Sequence, residues 1–305
     1  MRRQLSQVHL VLVITFGLYM AYTNLAAATP LRDYIMIYMC LGELILVLPT
    51  LIYILLKKQK VSDYLRIIPA GTDNLKLSAV VLLCAYPVVV VINMISMIFV
   101  ENPVEGVMPQ VLEWGLLPAL FAMAFLPAVA EEILCRGLLY GSYRECSVWR
   151  GALVSALVFA LMHLNLNQFS YTLFLGIIFA LVREATGSLT ASMFMHFLMN
   201  GFNVALNYFV SIRFPEMAGE QQEAVPYAQY LTESGQTTSA LTGAILLGLL
   251  FLVLTFVVIY RTFHLNEKSF KAVLFSGKGG RLADVWLLLF LAFAIWLTAR
   301  NTIFL

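Results

Sequence analysis

Two adjacent carboxylates and a guanidinium, Glu131, Glu132 and Arg136, interrupt a long apolar run that reads LPAVAEEILCRGLLYGSY. Charge inside hydrocarbon needs a partner, water or a task. Two later apolar segments carry one histidine each, His163 and His196, in a chain with 4 histidines altogether. A carboxylate in a partly dry cavity beside a histidine can take a proton from water and create a nucleophile. A second histidine with an amide side chain, here His196 with Asn200, can donate hydrogen bonds to the oxyanion that forms when water attacks a carbonyl. That inventory suffices for peptide-bond hydrolysis. The same residues could hold a metal instead. Glu131, His163 and His196 offer one oxygen and two nitrogens, a catalytic-zinc set that leaves a position for water, although no HExxH occurs. Local spacing leaves both routes open.

Helical spacing divides the labour. Glu132 and Arg136 stand four residues apart and can pair along one face. Phe159 with His163, and His196 with Asn200, share faces in the same way. Glu131 is rotated by about 100° from Glu132, so one carboxylate can pair with Arg136 while the other points into a cavity. At 1.5 Å of rise per residue, Glu131, His163 and His196 lie about 16, 18 and 12 Å from the cytoplasmic ends of their helices. All fall near the middle of a core about 30 Å thick, and the shallow depth of His196 favours cytoplasmic access. Each group also has a plain structural reading: a buried ion pair for Glu132 and Arg136, interhelical hydrogen bonds for the histidines and Asn200. Their coincidence in depth is what favours chemistry. Glu43 is a further intramembrane acid, expected to line a polar interior or pair across helices.

The elements that must position these groups are membrane helices. Of 305 residues, 61% are apolar and 12% are charged, against about 25% charged in soluble domains. The expected fold is an all-α polytopic membrane protein, a bundle of 8–9 transmembrane helices with a polar intramembrane cavity. Helices are expected near 9–28, 34–56, 77–100, 114–142, 150–166, 169–184, 187–211, 237–260 and 285–300, the last short enough to lie in the interface instead. The N-terminal MRRQLSQ and apolar run read as a retained first span rather than a cleaved signal. With the N-terminus in the cytoplasm, fifteen of the nineteen Lys and Arg residues fall on inner segments, Arg183 among them, and Arg32, Arg213 and Arg300 fall outside, as the positive-inside bias requires. Acids gather on the outer segments: Asp33, Glu101, Glu105 and Glu113, and, in the polar loop at 212–236, Glu216, Glu220, Glu223 and Glu233.

The basic loop 57–76 is expected to hold a short interfacial helix anchored by Tyr64, Leu65, Ile67 and Ile68. Small residues around the charged helix (Gly137, Gly141, Gly151, Ala152 and Ser155) suit close helix approach. Cys40, Cys84, Cys135 and Cys146 form no CxxC pair and read as small buried residues. No basic cluster resembles a nucleic-acid surface. Three regions follow: N-terminal helices at 1–112, a catalytic core at 113–211, and a loop with C-terminal helices at 212–305.

AEEILCRG at 130–137 resembles the EExxxR motif of the CAAX-protease and bacteriocin-processing family of intramembrane proteases, often called the abortive-infection family. Phe159 to His163 is similar to its FxxxH motif, and His196 to Asn200 to its HxxxN motif; the likeness covers about residues 115–205. The resemblance implies that Glu131 activates water with help from His163, that Glu132 and Arg136 order the site, and that His196 and Asn200 form the oxyanion side. It implies a glutamate-type protease without a cofactor, with zinc as the other possibility. It further implies a peptide or membrane-anchored protein substrate, free or lipidated. Eukaryotic relatives clip the last three residues from prenylated proteins; bacterial ones are linked to bacteriocin processing, self-immunity and peptide maturation. The composition suits a multi-pass protein of a prokaryotic cell membrane. The competing functions are a silent immunity or scaffold protein and an ion-coupled transporter, the latter disfavoured by the lack of inverted halves.

Overall fold

In a bilayer a long apolar run has one economical conformation, the α-helix, because each backbone N–H and C=O is then paired within its own segment. The computed structural model describes residues 2–100, 103–214 and 237–303, and no strand occurs among them. Helix α1 (Arg2–Ala27) leads through a 3-10 turn at Pro30–Asp33 into α2 (Ile35–Leu56). Then come the short α3 (Val61–Leu65), α4 (Thr72–Ser96) and α5 (Pro103–Leu112). Helix α6 runs over Leu116–Tyr143, with π-helical stretches at Phe121–Phe125 and Ile133–Tyr140. It is followed by α7 (Val148–Met162), α8 (Leu166–Thr186) and α9 (Leu189–Arg213). The chain ends with α10 (Thr237–Leu265), the short α11 (Phe270–Leu274) and α12 (Val285–Ile303).

Seven of these helices, α1, α2, α4, α6, α8, α10 and α12, are long and apolar enough to cross a membrane. The protein is therefore an all-α, multi-pass membrane protein. The expected count of eight to nine spans also drew in α7 and α9. Helix α7 has only 15 residues. Helix α9 has 25, but His196, Asn200, Asn203 and Asn207 dilute its apolarity. The segment expected at 285–300 is a full helix, α12. Residues 215–236, with the acids Glu216, Glu220, Glu223 and Glu233, lie outside the described residues, as does Glu101.

Helix α8 is the most enclosed of the seven and α10 the least. Helix α8 packs on α7 and α4, and α6 lies against α2, α7 and α9. Helix α1 is held by His9, whose Nε2 lies 3.0 Å from Tyr143 Oη and whose Nδ1 lies 2.8 Å from Asp284 Oδ1. The one polar ring thus ties the start of α1 to the ends of α6 and α12.

Local chemistry moves two boundaries from their expected places. Helix α7 stops at Met162 because Leu164 adopts φ +54° and Asn165 turns extended to cap α8, accepting the Gln168 N–H at 3.1 Å. His163 is consequently a helix-end residue, not a mid-span one. Helix α8 continues to Thr186 and ends at Gly187, with φ +72°. Arg183, expected among the cytoplasmic loop charges, lies inside that helix and is 2% exposed. The loop before α4 also differs: Leu65 is wholly buried, not an interfacial anchor. A Cβ on Gly137 would come within 2.7 Å of Leu65 Cδ2, so the missing side chain on α6 is what admits α3.

Candidate active site

Helix α6 delivers the charged run. Glu132 and Arg136 are both fully buried, and Arg136 Nη1 donates to Glu132 Oε1 at 2.8 Å, the pairing expected from spacing. The guanidinium carbon lies 4.2 Å from the centroid of the Phe159 ring and 5.3 Å from that of Phe179, so aromatic faces contribute cation–π attraction. A Cβ on Gly176 would sit 2.8 Å from Ala156 Cβ and 3.2 Å from Arg136 Nη2. That glycine lets α8 close over the arginine. Winding the helix to a π pitch changes which N–H each carbonyl meets, and Ser155 Oγ of α7 donates to Cys135 O at 2.8 Å within this stretch.

His196 stands between the two carboxylates. Its Nδ1 lies 3.3 Å from Glu132 Oε1 and its Nε2 3.6 Å from Glu131 Oε2. Phe159 and Phe179 flank the imidazole at 5.9 and 5.5 Å between centroids. His163 Nδ1 lies 2.9 Å from Phe159 O. A carbonyl can only accept, so Nδ1 carries the proton of that bond and Nε2 is left for other work. Asn200 Nδ2 donates to Met123 O at 3.1 Å. The residue four positions after Met123 is Pro127, which has no N–H to offer that carbonyl; Asn200 supplies the donor from another helix.

Glu131, His163, His196 and Asn200 all line one cavity of about 420 Å³. The structure thus brings these four sequence-derived candidates to one space, with Glu132 and Arg136 behind its wall. Glu131 and His163 are not in direct contact: the charged neighbour of Glu131 is His196. Among the described residues, no group of three or more His, Cys, Asp or Glu side chains is gathered closely enough to hold a metal ion, and the trio of Glu131, His163 and His196 does not form one. Glu43 has a buried Oε2 without a hydrogen-bond partner among the described residues. It interacts electrostatically with Glu131, while Met39, one turn before it on α2, lines the cavity.

The lining residues come from the first half of α2, the last half of α4, Met108 of α5, the first half and middle of α6, the end of α7, the first two-thirds of α8 and the middle to last part of α9. These share one end of the bundle. The opposite end carries a separate polar network. Arg144 forks onto Glu184 at 2.7 and 2.5 Å, and Tyr140 Oη donates to the same carboxylate at 2.9 Å. Hydrogen bonding to Glu184 raises the Arg144 pKa above its ordinary value. Lys268 Nζ donates to the carbonyls of Glu184 and Ala185 at 2.7 and 2.8 Å, closing the end of α8; burial lowers its pKa.

Sequence reasoning missed Phe179, Gly176 and Pro127. A glycine three residues before a phenylalanine on an apolar helix was the available signal for the first two. For Pro127 the signal was a proline within a run that remains helical.

No curated protein and no solved structure gave a match to the chain. Residues 113–202 match the family model described as Rce1-like, type II CAAX prenyl endopeptidase Rce1-like. This segment, part of the chain, contains Glu131, Glu132, Arg136, His163, His196 and Asn200, and the likeness to the Rce1-like, CAAX-protease and bacteriocin-processing family rests on it.

Proposed function

We propose that the protein is an intramembrane endopeptidase that hydrolyses a peptide bond of a peptide or membrane-associated protein, free or lipidated. The observation that carries this reading is His196 standing between Glu131 and Glu132 at a cavity that also receives His163 and Asn200. Glu131, at the cavity wall, takes a proton from water, and the hydroxide attacks the scissile carbonyl carbon. His163 accepts a hydrogen bond from that water through Nε2, because its Nδ1 is committed to Phe159 O. The oxyanion accepts from His196 Nε2 and from the Asn200 N–H that Met123 leaves free. His196 donates there from Nε2, with its Nδ1 facing Glu132 Oε1. The C–N bond then breaks, and Glu131 returns its proton to the leaving amine. Glu132 and Arg136 act as positioning residues, fixing His196 Nδ1 from behind.

In this reading the protein sits in a prokaryotic cell membrane with its N-terminus in the cytoplasm, an orientation that the Lys and Arg bias of the loops supports. In that orientation the cavity end of the bundle is extracytoplasmic, the reverse of the access favoured by the depth of His196. The reading is tested with purified protein in detergent and a library of free and lipidated peptides. Cleavage by the parent, lost in both Glu131→Ala and His163→Ala, supports it. Equal cleavage by the variants sinks the mechanism.

A further inference from the structure

Helix α9 does more than deliver His196 and Asn200. Asn203 and Asn207 continue the same stripe, three and seven residues beyond Asn200, and both line the cavity. The stripe climbs from the buried His196 through the half-buried Asn200 and Asn203 to the exposed Asn207. Both outer asparagines lie beyond the segment that the family model matches. Their groups are partly committed. Asn203 Oδ1 accepts from Tyr86 Oη at 3.1 Å, which leaves Asn203 Nδ2 without an acceptor among the described residues. Asn207 Nδ2 donates to Asn203 O at 2.8 Å, and its Oδ1 has no donor among the described residues. Asn200, with one N–H on Met123 O, keeps its Oδ1. The stripe therefore offers both donors and acceptors along one line.

The charge of the lining is equally informative. Among the described residues around the cavity, Glu131 is the one acid, and there is no lysine or arginine. A free α-carboxylate bound here would meet no lysine or arginine and would face Glu131.

We propose that this asparagine ladder binds the main chain of an extended, uncharged and internal stretch of polypeptide, beside the scissile bond. Seven residues of helix carry the ladder over roughly 10 Å, the length of about three residues of extended chain. Carboxamides pair with peptide N–H and C=O groups whatever the side chains are, so recognition is by backbone and tolerates sequence. Tyr86, packed edge-on against Phe202 at 5.1 Å between centroids, is the positioning residue that turns Asn203 Nδ2 toward the cavity. This inference rests on the endopeptidase reading for its location but not for its binding.

The test is equilibrium binding of a fluorescent, acetylated and amidated Ala/Ser/Leu peptide to the full-length Glu131→Gln protein. The peptide is expected to bind. Adding Asn207→Ala or Tyr86→Phe should weaken it by about threefold to tenfold for each hydrogen bond lost. Replacing single peptide amides by esters should cost a similar factor with the Asn207 and Tyr86 side chains intact and less without them, a readout that does not depend on how a variant folds. The same peptide with a free carboxyl terminus should bind no more tightly. Unchanged affinity in the variants and with the esters, or tighter binding of the free acid, overturns the proposal. Binding that follows the ladder while the parent cuts nothing sinks the hydrolysis reading and leaves the ladder standing.

Discussion

Pro127 and Asn200, on different helices, complete one hydrogen bond between them: the proline withholds the N–H that Met123 O would meet four residues on, and the asparagine provides one at 3.1 Å. Asn200 thus has a structural duty besides any role at an oxyanion. Asn200→Ala should cost about 1–3 kcal/mol of stability, the penalty for an orphaned buried acceptor, together with activity. Pro127→Ala restores a backbone donor. The double variant should therefore regain stability while activity stays lost. If activity returns with stability, Asn200 serves the fold alone.

Arg136 is buried against Phe159 and Phe179 and bonded to Glu132. Arg136→Ala leaves the buried Glu132 carboxylate without its guanidinium, with His196 beside it, at a cost of about 3–5 kcal/mol. Folded yield in detergent, followed by size-exclusion chromatography, should fall sharply. Arg136→Lys should rescue only part of it, since an ammonium lacks the flat face that lies on Phe159. A monodisperse, thermally unshifted Arg136→Ala protein contradicts this placement of the guanidinium.

What the sequence disclosed and what it hid have different physics. The Glu132–Arg136 pair was legible because both partners sit on one helix and their contact depends on the 3.6-residue period alone. The bulk of the spans was legible from apolar runs for the same reason: the signal is local. His196 between two carboxylates was half legible. Depth put the groups in one slab, but which imidazole meets which acid depends on how α9 packs on α6, and direct contact fell to His196 rather than His163. The end of α7 was hidden because it turns on Leu164 in the left-handed region, a conformation that leucine does not advertise. Arg183 looked like a loop charge because an arginine near an expected helix end is ordinarily solvated. Gly176 and Phe179 were invisible as site residues because their partner, Arg136, lies forty positions away.

Zinc is decided by measurement on the same preparation. His196 Nδ1 faces Glu132, its Nε2 faces Glu131, and His163 donates to Phe159 O, so the two rings have partners in the protein. We expect less than stoichiometric zinc by elemental analysis and cleavage that persists in a chelator. One equivalent of metal that disappears in both His163→Ala and His196→Ala overturns that expectation.

Acid should loosen the clamp between α1 and α12. Partial burial pushes the Asp284 pKa up, but the Leu287 N–H, donated at 3.0 Å, and His9 outweigh it and hold the carboxyl below its ordinary value. A depressed carboxylate stabilises the fold above its unfolded pKa of about 3.9 and loses that contribution as pH falls through the folded value. The melting temperature of the parent should drop over that acid range more steeply than that of Asp284→Asn. Parallel curves mean that Asp284 does not hold the helix end.

The direction from which substrate arrives is open to chemical labelling. Asn207 is exposed at the cavity end of α9, while Arg144 and Lys268 mark the other end of the bundle. The excess of Lys and Arg at that other end is the reason to expect it on the cytoplasmic side. In a background with Cys40, Cys84, Cys135 and Cys146 replaced by serine or alanine, Asn207→Cys should react with a membrane-impermeant maleimide added to intact cells. A cysteine at Lys278, in the basic segment between α11 and α12, should react only after the membrane is opened. Reversal of the two patterns inverts the protein in the membrane and restores cytoplasmic access to the cavity. Equal labelling of both sites in intact cells removes the charge asymmetry as the orienting force.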